Sequence, residues 1–447
     1  MHHPSLRIAI VGAGPSALYA AEAILKAGLG AKIAIVERLP VPFGLLRYGV
    51  APDHPNMRAL GDKLEDVIRD PDVAFFGGIE VGSALSVADL RSCFDAVIFA
   101  YGASLHRSAG FENEGARICI PSSEFARWYC GHPDADPSIF DIVRRARDAV
   151  VVGAGNVALD ASRILSRSAD ELATSEMPDR VREALGHVRT RQVTLLARRG
   201  PHQARFTTKE LRELGELSDC AVMTDAGDFA GIDAARIEDR AAQRNFELLK
   251  ALSVQGELPA NRRKKMILRF GARPVAIAET AGGHILRVRQ SDPMGSEAMT
   301  EHPVDLVVTA VGYRGAALEG LPFATDRGVV PTGEAGRVTD EQGLAVPGCY
   351  ATGWIRRGPS GVVGSNKACA GQVVAALIED LGAARPGAAL RDWEEMLHER
   401  GLRWFDASHW HRVDQLERED GSARGAVRTI IDDRQVLYRR PRILNEA

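Results

Sequence analysis

The chain has 447 residues, more than one compact core ordinarily holds, so two domains are expected, each large enough to bury a core of its own. Its composition is that of an ordinary globular protein, 45% hydrophobic and 26% charged, and a formal net charge of -3 removes any bulk electrostatic case for nucleic acid. Pro4 and the glycines inside the first apolar run exclude a secretory h-region, no later run approaches the roughly eighteen apolar residues of a membrane span, and the expected location is the cytoplasm.

The first element, residues 8–18 (IAIVGAGPSAL), is an apolar run without helical period that meets Gly12, Gly14 and Ala17. This is the G-x-G-x-x-G/A spacing of a strand turning sharply into a helix. Gly12 permits the tight turn, Gly14 lets the backbone approach a pyrophosphate, and Ala17 lets the helix pack close on its strand, with the helix N-terminus facing the anion. A second apolar run, residues 32–36, leads to Glu37, at about the twenty-residue separation suited to an acid that holds a ribose hydroxyl. Residues 38–55 are dense in proline and glycine, which excludes a helix or central strand and predicts a functional loop lying against the cofactor. A helix is expected at about 56–69, short strands at 73–76 and 80–81, and a buried strand in residues 94–102 (FDAVIFAYG) that ends on glycine. Residues 304–312 (VDLVVTAVG) end the same way, and the two exits are expected to cross between domains.

Residues 149–160 (AVVVGAGNVALD) repeat the opening pattern, with Gly153, Gly155 and Ala158 at the fingerprint positions. Two fingerprints imply two nucleotides on two βαβ units. The strand that follows, residues 192–197, ends not in an acid but in Arg198 and Arg199. An acid there would repel a 2′-phosphate, whereas two guanidiniums clasp it with charge-assisted bonds. The first site therefore reads as FAD and the second as NADPH.

Residues 233–252 are helical in pattern, with Arg240 and Arg244 one turn apart on one face. The run NRRKK, residues 261–265, precedes a strand at 266–270 and is either a solvated lead-in or a landing patch for an acidic protein. Residues 348–364 (GCYATGWIRRGPSGVVG) read as a strand ending at Gly353, a loop, and a helix from about 361 to 381. The N-terminal amides of that helix suit the anionic edge of a reduced flavin, and Trp354 reads as a ring contact. The tail from residue 384, with Trp393, Trp404 and Trp410, reads as a peripheral helical extension. Six cysteines contain no C-x-x-C pair, which argues against a redox dithiol, an iron-sulfur cluster and a structural zinc, and no metal site is expected.

Through VGAGPSALYAA, VPFGLLRYGVAPDHP, GAGNVALDASRIL, ARRGPHQARFTTKELRE, VGYRG and GWIRRGPSGVVGSNK, the chain resembles the adrenodoxin reductase branch of NADPH-ferredoxin reductases, on the glutathione-reductase-like fold. The resemblance reaches about residue 381 and is weak in the tail. It implies an α/β protein with two Rossmann-like dinucleotide-binding domains: a discontinuous FAD domain, residues 1–106 and 320–447 with a C-terminal extension, around an NADP domain of residues 107–319. By matching position it implies FAD contacts at Ser16, Glu37, Leu45, Val81, Trp354, Gly361, Val362 and Val363. It likewise implies NADP contacts at Arg107, Asn156, Val157, Ala158, Leu159, Arg198, Arg199, Glu210 and Gly361. His54 and Glu213 match a pair that sits near the flavin in relatives and are the catalytic candidates, although residue chemistry alone leaves His54 equally a capped loop histidine. Ser360, where members often carry threonine, and Ala368-Cys369-Ala370 depart from the family pattern. The implied reaction takes hydride from NADPH onto FAD and passes single electrons to a ferredoxin-type iron-sulfur protein, upstream of a cytochrome P450 or of iron-sulfur assembly. A monomer with no nucleic-acid and no membrane partner is expected. Three alternatives stand beside it: a dithiol reductase, which needs the missing cysteine pair; a flavin monooxygenase, whose F-x-G-x-x-x-H-x-x-x-W linker is absent; and a non-enzymatic, nucleotide-dependent interaction module.

Overall fold

The computed structural model describes residues 6–252, 262–361, 363–383 and 390–439. The first apolar run forms the strand Arg7–Val11 at the heart of a six-stranded sheet, paired in parallel with Lys32–Glu37 on one side and Ala96–Phe99 on the other. Its alternate residues feed two different cores: Ile8 and Ile10 pack with the helix Pro15–Lys26, while Ala9 and Val11 pack on the opposite face with Val97 and Phe99. A parallel strand covered on both faces is apolar at every position, which is why no period shows in its sequence. Val73–Gly77 forms one edge of this sheet, and Ala345–Ala351 followed by Arg337–Thr339 forms the other.

A second six-stranded sheet centres on Asp148–Val152, flanked in parallel by Gln192–Ala197 and Leu306–Thr309. The two stretches that follow the glycine exits, Leu105–His106 and Tyr313–Arg314, pair with each other in an antiparallel ribbon. Sequence reading missed a third sheet, the antiparallel meander of Ala272–Thr280, Gly283–Ser291 and Glu297–Val304. Its strands alternate, with Leu286 and Val288 packed against Val150 and Val152 and the other face in water.

Several expectations need correction. The loop from residue 38 to 55 contains one helical turn, Leu45–Tyr48, where four residues lie free of breakers. Glu80 and Val81 form no strand; Val81 makes only an isolated bridge to Leu85. The helix expected at 56–69 is two pieces, Pro55–Arg58 and Leu60–Ile68. The helix expected from residue 233 starts at Arg240, where the Asp239 side chain caps it by accepting from the Ala242 amide. The largest correction concerns the tail, which is not peripheral. Trp393 and Trp410 are 6% and 1% exposed, and the Phe43 and Trp410 rings meet edge to face with centroids 5.2 Å apart. Phe405 exchanges backbone hydrogen bonds of 2.8 Å with Gly77, and fully buried Glu417 on the helix Ala407–Ser422 grips Arg47 of the loop.

Candidate functional site

Both fingerprints are built alike. Gly12 has φ 100°, and a Cβ there would stand 2.8 Å from the Ala100 carbonyl oxygen, just past the strand Ala96–Phe99. Gly153, with φ 149°, is pressed in the same way on the Ala310 carbonyl, just past Leu306–Thr309. The two similar strand exits are thus the neighbours against which each glycine must close, and only glycine tolerates both the φ and the approach. At Gly14 and Gly155 an added Cβ would meet nothing within 4 Å, so each unit has an open floor where a diphosphate can approach the backbone.

The floors belong to one cavity of about 1090 Å³, larger than the ~300–1,000 Å³ typical of a single small-molecule site. Gly12, Gly14, Glu37, Gly153, Gly155, Arg198 and Arg199 line it, as do Ser16, Leu45, His54, Arg107, Asn156, Val157, Glu210, Trp354 and Gly361. Four of the expected residues lie behind its wall. Val81 sits in the core beside Ile79; Ala158 and Leu159 are fully buried on the inner face of the helix Asn156–Ser166; Glu213 stands behind His54. Val362 lies outside the described residues.

At the first strand end Glu37 is half-buried, with Oε2 accepting from the Ala13 amide at 2.8 Å and Oε1 from the Leu39 amide at 3.0 Å. Burial raises its carboxyl pKa, and the two amides act against that rise. At the second strand end Arg198 and Arg199 are exposed, and among the described residues neither makes an ion pair.

Between the units lies a buried charge cluster that the sequence showed only in part. His54 Nε2 is 3.1 Å from Asp160 Oδ1 and 3.3 Å from Glu210 Oε2, and Nδ1 is 3.5 Å from Glu213 Oε2. Arg163, with no exposed surface, holds Asp53 at 2.6 Å and Asp160 at 2.8 Å. Burial pushes the His54 pKa down, but the hydrogen bonds to Asp160 and Glu210 outweigh burial and the opposing charge of Arg163, lifting it to about 10. His54, Glu210 and Glu213 bring ligand atoms within 4.8 Å of one another. Arg163 Nη1 lies 3.3 and 3.4 Å from the two glutamates and already fills the place of a cation.

The mitochondrial NADPH:adrenodoxin oxidoreductase of Arabidopsis thaliana is 32% identical over 95% of this chain and 92% of its own length. NADPH-ferredoxin reductase FprA of Mycobacterium tuberculosis is 36% identical over 94% of this chain and 96% of its own. The chain belongs to the NADPH-ferredoxin reductases. A solved structure of this reductase family, Mycobacterium tuberculosis FprA in complex with NADPH, superposes with a TM-score of 0.88 at 35% identity, covering 97% of this chain and 98% of that one. No protein-family model matches the chain.

Within this reductase the basic run before the strand Lys264–Phe270 is no open patch. Arg262 bonds the Leu217 carbonyl, Arg263 pairs with Asp219 at 2.8 Å, and Lys264 donates to the Arg167 carbonyl at 2.9 Å; Asn261 lies outside the described residues. Arg240 and Arg244 are exposed and do not line the cavity. Sequence reading did not single out Arg38, His132 and Tyr313, which line the cavity, nor Arg163 beneath it. Only Arg163 carried a local signal, an arginine in the otherwise small and apolar run VALDASRIL one turn beyond Asp160.

Proposed function

We propose that this chain is an FAD-dependent NADPH-ferredoxin reductase. The observation that carries the reading is the single cavity joining two glycine floors, one ending in the acid Glu37 and the other in the arginines Arg198 and Arg199. FAD fits the first unit, where Gly14 leaves room for its diphosphate and Glu37 presents carboxylate lone pairs to a ribose. NADPH fits the second, where Gly155 leaves the same room and the guanidiniums meet the 2′-phosphate. When bound, FAD supplies the ring that accepts a hydride and returns electrons singly.

The chain's own residues bind, orient and hold charge. Trp354 and Gly361 shape one wall, and Gly361, at φ 84°, holds a backbone conformation that a side chain would strain. His54 keeps a proton at the cavity surface, held by Asp160 and Glu210, with Glu213 behind the ring. A proton fixed there favours build-up of negative charge next to it. Further residues implied by family position, Ser16, Leu45, Arg107, Asn156 and Val157, also line the cavity, which supports their assignment to the two nucleotides.

The acceptor is a ferredoxin-type iron-sulfur protein, which in turn serves a cytochrome P450 or iron-sulfur assembly. Arg240 and Arg244, exposed on the helix Arg240–Ala251, form the dock for its acidic surface. In this reading the FAD domain comprises residues 1–106 and 320–447, the NADP domain residues 107–319, and the protein acts as a cytoplasmic monomer. No helix among the described residues is long and apolar enough to cross a membrane. The test is an anaerobic titration: one equivalent of NADPH should bleach the flavin absorbance, and added ferredoxin should restore it at a rate that falls with salt. A protein that copurifies with no flavin, or whose flavin NADPH does not bleach, overturns the reading.

A further inference from the structure

Arg38 and His132 share a corner of the cavity that the function above does not use. Arg38 directly follows Glu37 at the end of the strand Lys32–Glu37. His132 lies just beyond the helix Ser122–Tyr129, is 5% exposed, and packs its ring 4.9 Å from that of Tyr48. All three residues line the cavity.

The imidazole has two nitrogen contacts that conflict. Its Nδ1 faces the Asp134 amide at 3.0 Å, and its Nε2 faces Arg38 Nη2 at 3.2 Å. Both partners are donors, so both contacts call for a bare ring nitrogen, whereas a neutral imidazole has one bare nitrogen and one N–H. The ring is neutral, because burial and the cations Arg127 and Arg38 hold its pKa well below the ordinary value, against the weaker pull of Asp134. The Asp134 amide is set by a two-residue turn and cannot swing away, whereas the Arg38 guanidinium ends a flexible stem. Nδ1 is therefore the bare nitrogen and Nε2 carries the hydrogen. With that tautomer His132 Nε2 and Arg38 Nη2 stand as two donors 3.2 Å apart on the cavity wall, placed to share an acceptor that enters it.

We infer that Arg38 and His132 clasp one acceptor atom in the adenosine half of FAD, an adenine ring nitrogen or a ribose oxygen. The inference rests on assigning FAD to the first unit. Arg38 adjoins the ribose acid Glu37, while the diphosphate floor is at Gly14, so the clasp belongs to the nucleoside end. Asp134 organises both donors: its amide fixes the His132 tautomer and its carboxylate holds Arg38 Nη1 at 2.8 Å. The same carboxylate pairs with Arg434, whose guanidinium lies 4.4 Å over the Tyr438 ring on the C-terminal segment. The tail thus reaches the cofactor site through one aspartate.

The experiment measures binding of FAD, ADP and FMN to the full-length apoprotein by flavin fluorescence and competition, for wild type, His132→Phe, Arg38→Met and Arg434→Ala. A neutral or singly charged hydrogen bond corresponds to about five- to tenfold in affinity, so His132→Phe and Arg38→Met should each raise Kd for FAD and ADP by that factor and leave FMN unchanged. Arg434→Ala, a change at an exposed side chain, should move ADP in the same direction by a smaller factor. Among ADP analogues, 7-deaza-ADP and 2′-deoxy-ADP distinguish the acceptors, since one that lacks the clasped atom should bind wild type and His132→Phe alike. Equal ADP affinity in wild type and both cavity variants overturns the clasp, as does a loss of FMN binding equal to the loss of ADP binding. A wild type that binds neither FAD nor ADP instead overturns the function on which the clasp rests.

Discussion

Two equivalent strands, Lys32–Glu37 and Gln192–Ala197, end in opposite charges in opposite surroundings. Glu37 is half-buried and held by two backbone amides, while Arg198 and Arg199 stand exposed without an ion pair among the described residues. An acid pre-organised by two amides loses little freedom when it binds and suits a ligand that stays. Exposed guanidiniums act through water and salt, and suit a ligand that comes and goes. The same local motif thus serves a resident cofactor or an exchanging one according to what packs around it. Around the first unit the tail packs Trp410 on Phe43 and Glu417 on Arg47, both from the loop that lines the cavity.

The hardest blow to this contrast should come from the tail. Glu417→Ala leaves the Arg47 charge buried without its carboxylate, which costs about 3–5 kcal/mol. Urea unfolding should show that loss, with FAD released early in the transition. An unchanged midpoint would mean that the first site does not depend on the tail. Next in size, Glu37→Ala should weaken FAD by roughly ten- to a hundredfold, the equivalent of about 1.5–3 kcal/mol for bonds to a charged group. It also orphans the Ala13 and Leu39 amides. Apoprotein reconstitution followed by flavin fluorescence measures the effect, and retained affinity would remove Glu37 from the ribose.

At the second strand end, Arg198→Ala with Arg199→Ala should raise KM for NADPH about tenfold and leave NADH kinetics nearly unchanged. The wild-type preference for NADPH should itself shrink between about 0.1 M and 1 M salt, as the screening length falls from about 10 Å to about 3 Å. Equal effects on both nucleotides would assign the arginines to the fold.

The pH-dependent effect belongs to His54, which lies between the units. Its folded-state pKa is raised to about 10, so the protonated ring contributes stability that is complete below the unfolded value near 6.5 and disappears as pH climbs through 10. Chemical denaturation at pH 6, 8 and 10 should show a decline across that window that His54→Gln flattens. A variant that declines in parallel with wild type would place the proton elsewhere in the cluster.

What the sequence determined by itself was local. A glycine forced to positive φ against a neighbouring strand, a floor glycine facing open space, and the acid or arginines at a strand end are separated by a few residues or one βαβ unit. Their chemistry is set by backbone geometry that any such unit repeats. The buried strands were legible for the same reason, since covering both faces makes a strand apolar throughout. The antiparallel meander was not, because its strands are only half buried and their alternation is interrupted by Arg, His and Pro. Only the tertiary structure decided which charges are buried. Arg47 meets Glu417 across 370 positions, Arg58 meets Glu176 across 118, and Arg163 meets Asp53 across 110. A charged residue carries no local mark of burial, because burial becomes affordable only when a distant partner of opposite charge or matching hydrogen-bond capacity is folded against it.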